Sequence, residues 1–404
     1  MTVSYADKSF FKLLFRWKGS VWKDVWLSYA IYLFVYFVIN AIYRFALPED
    51  VQKAFELVVE YCRQWHRVIP LTFLIGFYVS AVFTRWWAQV NHVARPDKFL
   101  VFLSANINGL DPASINLRQT FARYANLLTV LAWRKISMKI KKRFPTDDHL
   151  LSSGLVTEEE FELFQSTTDN YGKWFVPVSW MTNLLFRCRA EGRISDVAHQ
   201  KLVDELYIFR GNCGMLCVYD WINIPLVYTQ VVALATYGYF LFCLLARQSL
   251  IVRPDSKDQV DIVFPLFTTF EFIFYIGWLK VGEDLRCPFG EDDEDFNLNY
   301  LLDRNVHVSG MLTNELVRHR PTPSPTALFE SSTPLLPHTL ASWKVRDQAL
   351  NFRIYNQEVP KHLHQLYKEA IDSKKEKTKI KKAVKALEDE LEDVRSDDEF
   401  VKAK

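Results

Sequence analysis

The residues with the clearest chemical potential form an acidic run beyond the end of an apolar stretch. Residues 288–296 read Pro-Phe-Gly-Glu-Asp-Asp-Glu-Asp-Phe, with five consecutive acids directly after Gly290. Adjacent carboxylates repel one another, and Ca²⁺ suits clustered carboxylate and carbonyl oxygens. Gly290 permits the sharp turn that would bring backbone carbonyls around the same ion. A solvated acidic surface is the alternative interpretation, but the position about ten residues past a predicted membrane segment favours a cation site.

A second candidate is an apolar stripe on one of the membrane segments. Ile69, Phe73 and Phe77 follow one another at i, i+4 and i+8, so they share one face of a helix. Packing against lipid or another helix is one interpretation of this stripe. The other is a face turned towards a symmetry axis, where rings of apolar side chains gate ions by dewetting. Aromatic edges are electropositive and would tolerate an anion, and the segment has no carboxylate that would favour a cation.

These side chains must be positioned by helices that cross a membrane. Four apolar segments, 27–43, 68–84, 221–246 and 262–278, have about the length that a hydrocarbon core requires. The second and fourth are short enough to be buried helices of a soluble core instead. The fourth contains Glu271, and an acid inside a membrane is either a functional group or a satisfied contact between helices.

Composition and charge bound the class of protein. The chain has 404 residues, 50% hydrophobic and 15% aromatic, with a formal net charge of +2. That balance gives no argument for nucleic acid as a partner, and no basic stripe or zinc-finger spacing is present. The six cysteines do not form a disulfide framework. The basic N-terminal stretch lacks a cleavage signal and reads as an uncleaved anchor.

The distribution of Lys and Arg predicts the orientation. Basic residues concentrate before the first span and in 85–220, so we expect a multi-pass protein of the cell membrane with both termini cytoplasmic. The runs 117–143, 157–164 and 196–209 have helical apolar spacing, and Thr157 with Glu160 is typical of a helix N-terminus. We therefore predict an all-α fold with a large cytosolic helical domain.

The predicted segments in chain order are a cytosolic N-terminal segment (1–26), spans one and two with a pore-lining neck (27–84), a cytosolic helical domain (85–220), spans three and four (221–278), the acidic loop and a cytosolic helix (279–312), and a flexible charged tail (313–404).

Several motifs together resemble one family, the bestrophins, over roughly residues 1–310. They are Ile-Pro-Leu-Thr-Phe-Leu-Ile-Gly-Phe-Tyr-Val (69–79), Thr-Arg-Trp-Trp (84–87), Arg-Phe-Pro (143–145), Tyr-Asp-Trp-Ile-Asn-Ile-Pro-Leu-Val-Tyr-Thr-Gln-Val (219–231), Gly-Trp-Leu-Lys-Val (277–281) and the acidic run itself. Each motif alone is modest, and their shared order is specific.

The resemblance implies a calcium-activated chloride channel made of five identical subunits around one axial pore. Its implied partners are chloride and other small anions, including bicarbonate, and membrane lipid. It implies a hydrophobic neck at Ile69, Phe73 and Phe77, and a cytosolic aperture at Val197 after Gly192-Arg193-Ile194. For the Ca²⁺ clasp it implies the side chains of Asp292 and Asp295, the backbone carbonyls of Asp284 and Cys287, and a carbonyl at Ala6 supplied by the neighbouring subunit.

Two other classes of function stay open from the residues alone. A secondary anion transporter would often have inverted repeats and broken helices, and the sequence has no such repeat. A membrane-embedded transferase that uses the acids to hold Mg²⁺ would need Asp-Asp-x-x-Asp, but Phe296 stands at the last position of that pattern. No phosphate-binding glycine loop or catalytic His or Ser constellation is present, so we do not expect an enzyme.

Overall fold

The computed structural model describes residues 10–65, 70–168, 172–251, 263–319 and 321–324. Within these ranges every regular element is helical, which confirms the predicted all-α class. The chain divides into two units, Met1–Arg320 and Pro321–Lys404, and the helices belong to the first. Helical structure continues to Arg318, past the predicted start of the tail at 313; most of that tail lies outside the described residues.

The α-helices of the described ranges are α1 (Phe10–Leu13), α2 (Val21–Ala41), α3 (Glu49–Trp65), α4 (Leu71–Asn91), α5 (Asp97–Asn106), α6 (Pro112–Ile136), α7 (Met138–Arg143), α8 (Asp148–Ser152), α9 (Glu158–Ser166), α10 (Val176–Ala190), α11 (Asp196–Trp221), α12 (Leu226–Ala246), α13 (Leu266–Asp284), α14 (Leu298–Gly310) and α15 (Leu316–Arg318). Single π-helical turns extend α2 (Ile42–Ala46) and α14 (Met311–Glu315), and a 3₁₀ turn (Lys173–Phe175) leads into α10.

Three segments of the described chain are long and apolar enough to cross a membrane. They are Val21–Ala46, Leu71–Asn91 and Leu226–Ala246, which correspond to the first three predicted spans. The predicted fourth span, 262–278, falls on α13, a helix of 19 residues. It is long enough to cross a membrane, but its charged residues set it apart from the other three: it carries Glu271 and has Lys280, Glu283 and Asp284 in its last turns.

Proline residues set the start of three of these helices. Pro70, Pro225 and Pro265 each stand directly before the first residue of α4, α12 and α13. The proline ring disfavours the helical conformation in the residue before it, so the helix begins only after the proline. The predicted spans began too early because apolar residues also precede each proline. By contrast, α2 begins before position 27, because Lys23 and Asp24 interrupt the apolar run without interrupting the helix.

Helices α2, α4, α12 and α13 pack around a shared apolar core. Its centre is aromatic: the ring centroid of Phe272 lies 4.8 Å from those of Tyr32 and Phe240. Gly277 lets α13 approach α2 closely, because a Cβ at this position would lie 2.5 Å from a methyl group of Val21. These four helices are therefore held by packed aromatic rings and by close approaches of the α13 backbone to side chains of its neighbours.

Helices α5, α10, α11 and α14 pack around α6, which has most of its residues buried. Fully buried Arg118 on α6 donates to the backbone carbonyls of Ile107 (2.7 Å), Gly109 (2.8 Å) and Thr313 (2.9 Å). Buried charges are tolerated when they are hydrogen-bonded in this way. This arginine therefore fixes the loop after α5 and the π-helical turn after α14 to the same core helix.

In the predicted helical domain, one predicted helix is two helices and one predicted helix start is confirmed. The run 117–143 is two helices, α6 and α7, because the chain is extended at Ser137. The predicted helix start at Thr157 is confirmed: its hydroxyl accepts from the backbone N–H of Glu160 at 3.3 Å, and the Glu160 carboxylate accepts from the Thr157 N–H at 2.9 Å. Such a reciprocal cap satisfies two free N–H groups of the first turn.

Candidate functional site

The acidic run is a closed loop between α13 and α14. The backbone N–H of Phe296 donates to the carbonyl of Pro288 at 2.9 Å, which joins the two ends of the loop. Inside it, the Asp295 carboxylate accepts from the backbone N–H of Asp292 at 2.8 Å. Asp295 is 5% exposed, whereas Asp292 is exposed. One of the two predicted carboxylate ligands is thus held inside the loop and the other at its surface.

Gly290 lies where the oxygens of this loop converge. A Cβ at position 290 would lie 2.7 Å from an Asp295 carboxylate oxygen and 3.6 Å from the carbonyl oxygen of Cys287. Any larger residue would therefore displace the Asp295 carboxylate. Of the predicted clasp residues, Cys287 and Asp295 meet at this glycine.

Burial and neighbouring acids shape the electrostatics of the loop. Burial raises the pKa of Asp295, and the charges of Asp292 and Glu294 act in the same direction, against the hydrogen bond from the Asp292 N–H. Asp284 ends α13 beyond the predicted span, and burial, with Asp24 and Glu294, raises its pKa to about 7. Without a cation, burial and mutual repulsion therefore disfavour the state in which all these carboxylates are ionised. A bound cation would stabilise that ionised state.

Cations of two other elements hold the outer side of the loop. Lys23 on α2 binds Asp293 at 2.7 Å, and Lys142 on α7 binds Glu291. The hydrogen bond from Lys23 lowers the pKa of Asp293. Both lysines belong to the basic stretches from which the orientation was predicted. Their partners lie 270 and 149 residues away in the chain, so no local pattern could have paired them.

The acidic side chains of the loop, all of which the structure describes, do not form a metal-binding cluster by themselves, so a cation here would be bound largely by backbone oxygens. Among the described residues, no group of three or more His, Cys, Asp and Glu side chains is placed to hold a metal ion. Two carboxylates with the carbonyls of residues 284 and 287 would not form such a group, since carbonyl oxygens are ordinary Ca²⁺ ligands. The remaining predicted ligand, Ala6, lies outside the described residues.

Two of the three predicted neck residues, Phe73 and Phe77, lie on α4. The rings of Phe73 and Phe77 are 4.6 Å apart and project from the same face, with exposures of 61% and 60%. The neighbouring face of α4 is packed against α13, where Trp278 approaches Gly76 and the Tyr275 hydroxyl lies 3.1 Å from that of Thr72. The two phenylalanines are thus available to a partner outside the chain. Ile69 lies outside the described residues.

The predicted aperture residue, Val197, lies in the first turn of α11. Ser195 caps this helix by accepting from the backbone N–H of Ala198 at 3.2 Å. Asp196 is held by Arg189 at 2.6 Å. The Val197 side chain is 66% exposed, so it projects from the fixed end of a 26-residue helix without packing inside its own chain.

Glu271 has partners on the neighbouring helix. Its carboxylate accepts from the Tyr239 hydroxyl at 3.1 Å and lies 3.4 Å from the guanidinium of Arg247. Of the two interpretations of this acid, the satisfied interhelical contact is the one that these distances favour. We assign it no part in the candidate site.

The described residues are all helical outside their loops, and three segments have the length and composition to cross a membrane, which is the character of an integral membrane protein. Residues 1–315 match the family described as Bestrophin, RFP-TM, chloride channel. The chain belongs to the bestrophin family, as the sequence motifs predicted. Chloride conduction is thereby the activity associated with its family.

Named relatives agree with this assignment. Bestrophin homolog 14 of Caenorhabditis elegans is 42% identical, over 86% of this chain and 84% of its own length. Human Bestrophin-2a is 44% identical over 78% of this chain, and human Bestrophin-1 is 40% identical over 86%. The matched regions span only 64% and 61% of those two human proteins.

Solved structures agree on the fold. A crystal structure of a bacterial bestrophin homolog from Klebsiella pneumoniae aligns with a TM-score of 0.52 at 16% identity, over 73% of this chain and 98% of the other. A second crystal structure, described as that of a membrane protein, aligns with a TM-score of 0.55 at 15% identity, over 72% of this chain and 98% of the other.

Proposed function

We propose that this protein is a calcium-activated anion channel of the cell membrane. Ca²⁺ binds the acidic loop and opens a hydrophobic neck in an axial pore formed by five identical subunits. Each subunit contributes four spans, α13 being the fourth, with both termini in the cytoplasm. Chloride and other small anions permeate, and membrane lipid surrounds the spans.

The geometry of the acidic loop is the observation that carries this proposal. A buried carboxylate, Asp295, and the carbonyl of Cys287 converge on Gly290, and like charges surround them. Asp292 and Asp295 would supply the carboxylate ligands, with carbonyls of Asp284, Cys287 and, from the neighbouring subunit, Ala6. A bound Ca²⁺ would supply the positive charge that this cluster lacks.

The neck supports the anion-channel part of the proposal. Phe73 and Phe77, with Ile69 before them, would form successive rings around the axis. A narrow apolar ring excludes ions when it is dry, so a small widening switches conduction. The ring edges are electropositive and accommodate an anion that has shed part of its water.

The test is electrical and uses the full-length protein in a planar bilayer, with Ca²⁺ varied on one face. We expect discrete current steps, which a transporter would not produce. Asp292→Ala and Asp295→Ala should each raise the Ca²⁺ concentration for half-activation by about tenfold or more, since affinity depends on ligand charge.

Glu291→Gln is the matched control, because it removes a charge from the same run without touching the predicted ligands. Its half-activation should stay near that of the wild type. An equal shift in all three variants would mean that the run acts only as diffuse negative charge, and no shift in the two aspartate variants would refute the clasp.

A further inference from the structure

The acidic loop contacts three different helices, and one of these contacts reaches the helix that carries the neck residues. Lys23 and Lys142 bind the loop through side chains that are 46% and 65% exposed. The third contact is aromatic: the half-buried ring of Phe296 stacks on Trp86 of α4, with centroids 5.6 Å apart and planes 29° apart. Exposed ion pairs are weak and yield to solvent, whereas stacked rings resist displacement.

Phe296 is rigidly linked to the proposed clasp. It follows Asp295 directly, and its N–H closes the loop on Pro288. Its ring also packs against the buried ring of Phe289, with 6.3 Å between the two centroids. Because Phe296 is bonded to Asp295 and is held by its own N–H and ring contacts, a movement of Asp295 towards an ion would also move the Phe296 ring.

The α4 side of the contact is equally constrained. Trp86 lies nine residues after Phe77, about 13 Å along the helix axis, and its ring stacks on Phe83 at 5.8 Å. The next residue back, Arg85, is fixed to the corner between α11 and α12. Its guanidinium donates to the carbonyl of Ile222 at 2.7 Å and to that of Tyr219, whose ring lies 5.0 Å away.

We propose that the stack of Trp86 on Phe296 transmits calcium occupancy of the loop to the neck, and that Arg85 is the pivot. The proposal rests on the proposed channel function and names the contact that regulates it. Displacement of Phe296 pushes the inner end of α4 at Trp86, while the adjacent residue is held at the α11–α12 corner. Helix α4 then tilts about that point, and its far end, with Phe73 and Phe77, moves relative to the axis.

The test separates calcium binding from channel opening. In Trp86→Leu and in Phe296→Leu, the Ca²⁺-dependent rise in melting temperature of the purified protein should match that of the wild type. The ratio of open to closed channels at saturating Ca²⁺ should fall by about five- to tenfold, a typical strength for coupling between two sites. Trp86→Phe should restore most of the opening, because it keeps an aromatic ring.

Trp26→Leu is the matched control, since it makes the same change at a tryptophan of α2 that is 53% exposed; its opening should remain at the wild-type level. A merely structural role for Trp86 would lower calcium binding and opening together. That outcome, or wild-type opening in both leucine variants, would overturn the proposal. If Trp86→Leu does not fold, Phe296→Leu and Trp86→Phe decide it by the same criteria.

A second arm distinguishes this proposal from the channel function itself. Absence of Ca²⁺-evoked current in the wild type would refute the channel function. With the wild type responding, Trp86→Leu is combined with alanine at Ile69, Phe73 and Phe77. Because the stack acts through the neck, it should change nothing further in that background, and an additional loss of current would overturn the pathway.

Discussion

At the residue scale, the exposed Val197 offers a test that separates ion selectivity from gating. Val197 projects from the first turn of α11, with the residues on either side held by a cap and an ion pair. One small apolar side chain from each subunit would make a short collar. Val197→Ala should change the permeability of thiocyanate relative to chloride by about twofold or more and leave the Ca²⁺ dependence unchanged, because a collar filters by dehydration. Reversal potentials in mixed chloride and thiocyanate measure this.

Val227→Ala is a suitable control for that prediction, since it makes the same change at a 70% exposed valine of α12. An unchanged permeability ratio in Val197→Ala would place the collar at a neighbouring position. Asp196 and Ala198 would then be the residues to exchange.

The acidic loop illustrates how far individual residues could be predicted. Five acids after a glycine indicated a cation site, which stays a prediction. The pattern could not distinguish the buried carboxylate of Asp295 from the exposed one of Asp292, because burial depends on how the loop closes on Pro288. The pairing with Lys23 depends on tertiary structure and is invisible to local spacing.

At the scale of elements, helix α9 is stabilised by one glutamate with three partners. Burial alone would raise the pKa of Glu160, but hydrogen bonds from Arg123, Tyr124 and the Thr157 N–H outweigh it and hold the pKa at about 2. A carboxylate with a depressed pKa stabilises the fold above its ordinary value of about 4.5, and that stability is lost as the pH falls towards 2. Acid unfolding of the wild type should follow this window.

Glu160→Gln should lower the melting temperature at pH 7 by roughly 2–5 °C and flatten its fall between pH 4.5 and pH 2. Thermal unfolding of the purified protein over that range is the measurement. Glu159→Gln, in the same turn but exposed, should retain the wild-type slope. If the melting temperature fell equally steeply with pH in Glu160→Gln and the wild type, another group would control unfolding in acid.

Some helix boundaries could be predicted from local sequence and others could not. The cap of α9 was predictable because Thr157 and Glu160 interact within one turn. Hydropathy placed α4, α12 and α13 but set their starts too early, since it ignores the conformational effect of Pro70, Pro225 and Pro265. The break at Ser137 has no proline or glycine to signal it.

At the scale of the whole molecule, the exposed aromatic face of α4 would act as a neck only in an assembly of several subunits around one axis. Phe73 and Phe77 contact each other but leave most of their surface uncovered in one chain. Replacing Ile69, Phe73 and Phe77 together by alanine should widen the neck and give current that persists without Ca²⁺, with chloride still preferred over Na⁺. Bilayer recordings in chelator measure both properties.

Phe34→Ala provides the comparison, because Phe34 is 70% exposed on α2 and belongs to no predicted ring. Its current should remain strictly dependent on Ca²⁺. Strict dependence in the triple variant would instead place the gate elsewhere along the pore.

The ion pair of Glu271 with Arg247 also bears on how the chain enters the membrane during synthesis. An isolated α13 would carry an uncompensated acid into hydrocarbon, which opposes insertion. The compensating groups, Tyr239 and Arg247, belong to α12 and the residue directly after it. On the proposed four-span topology, the two helices would partition into the bilayer as a hairpin, so that chains truncated after α12 and after α13 would insert differently.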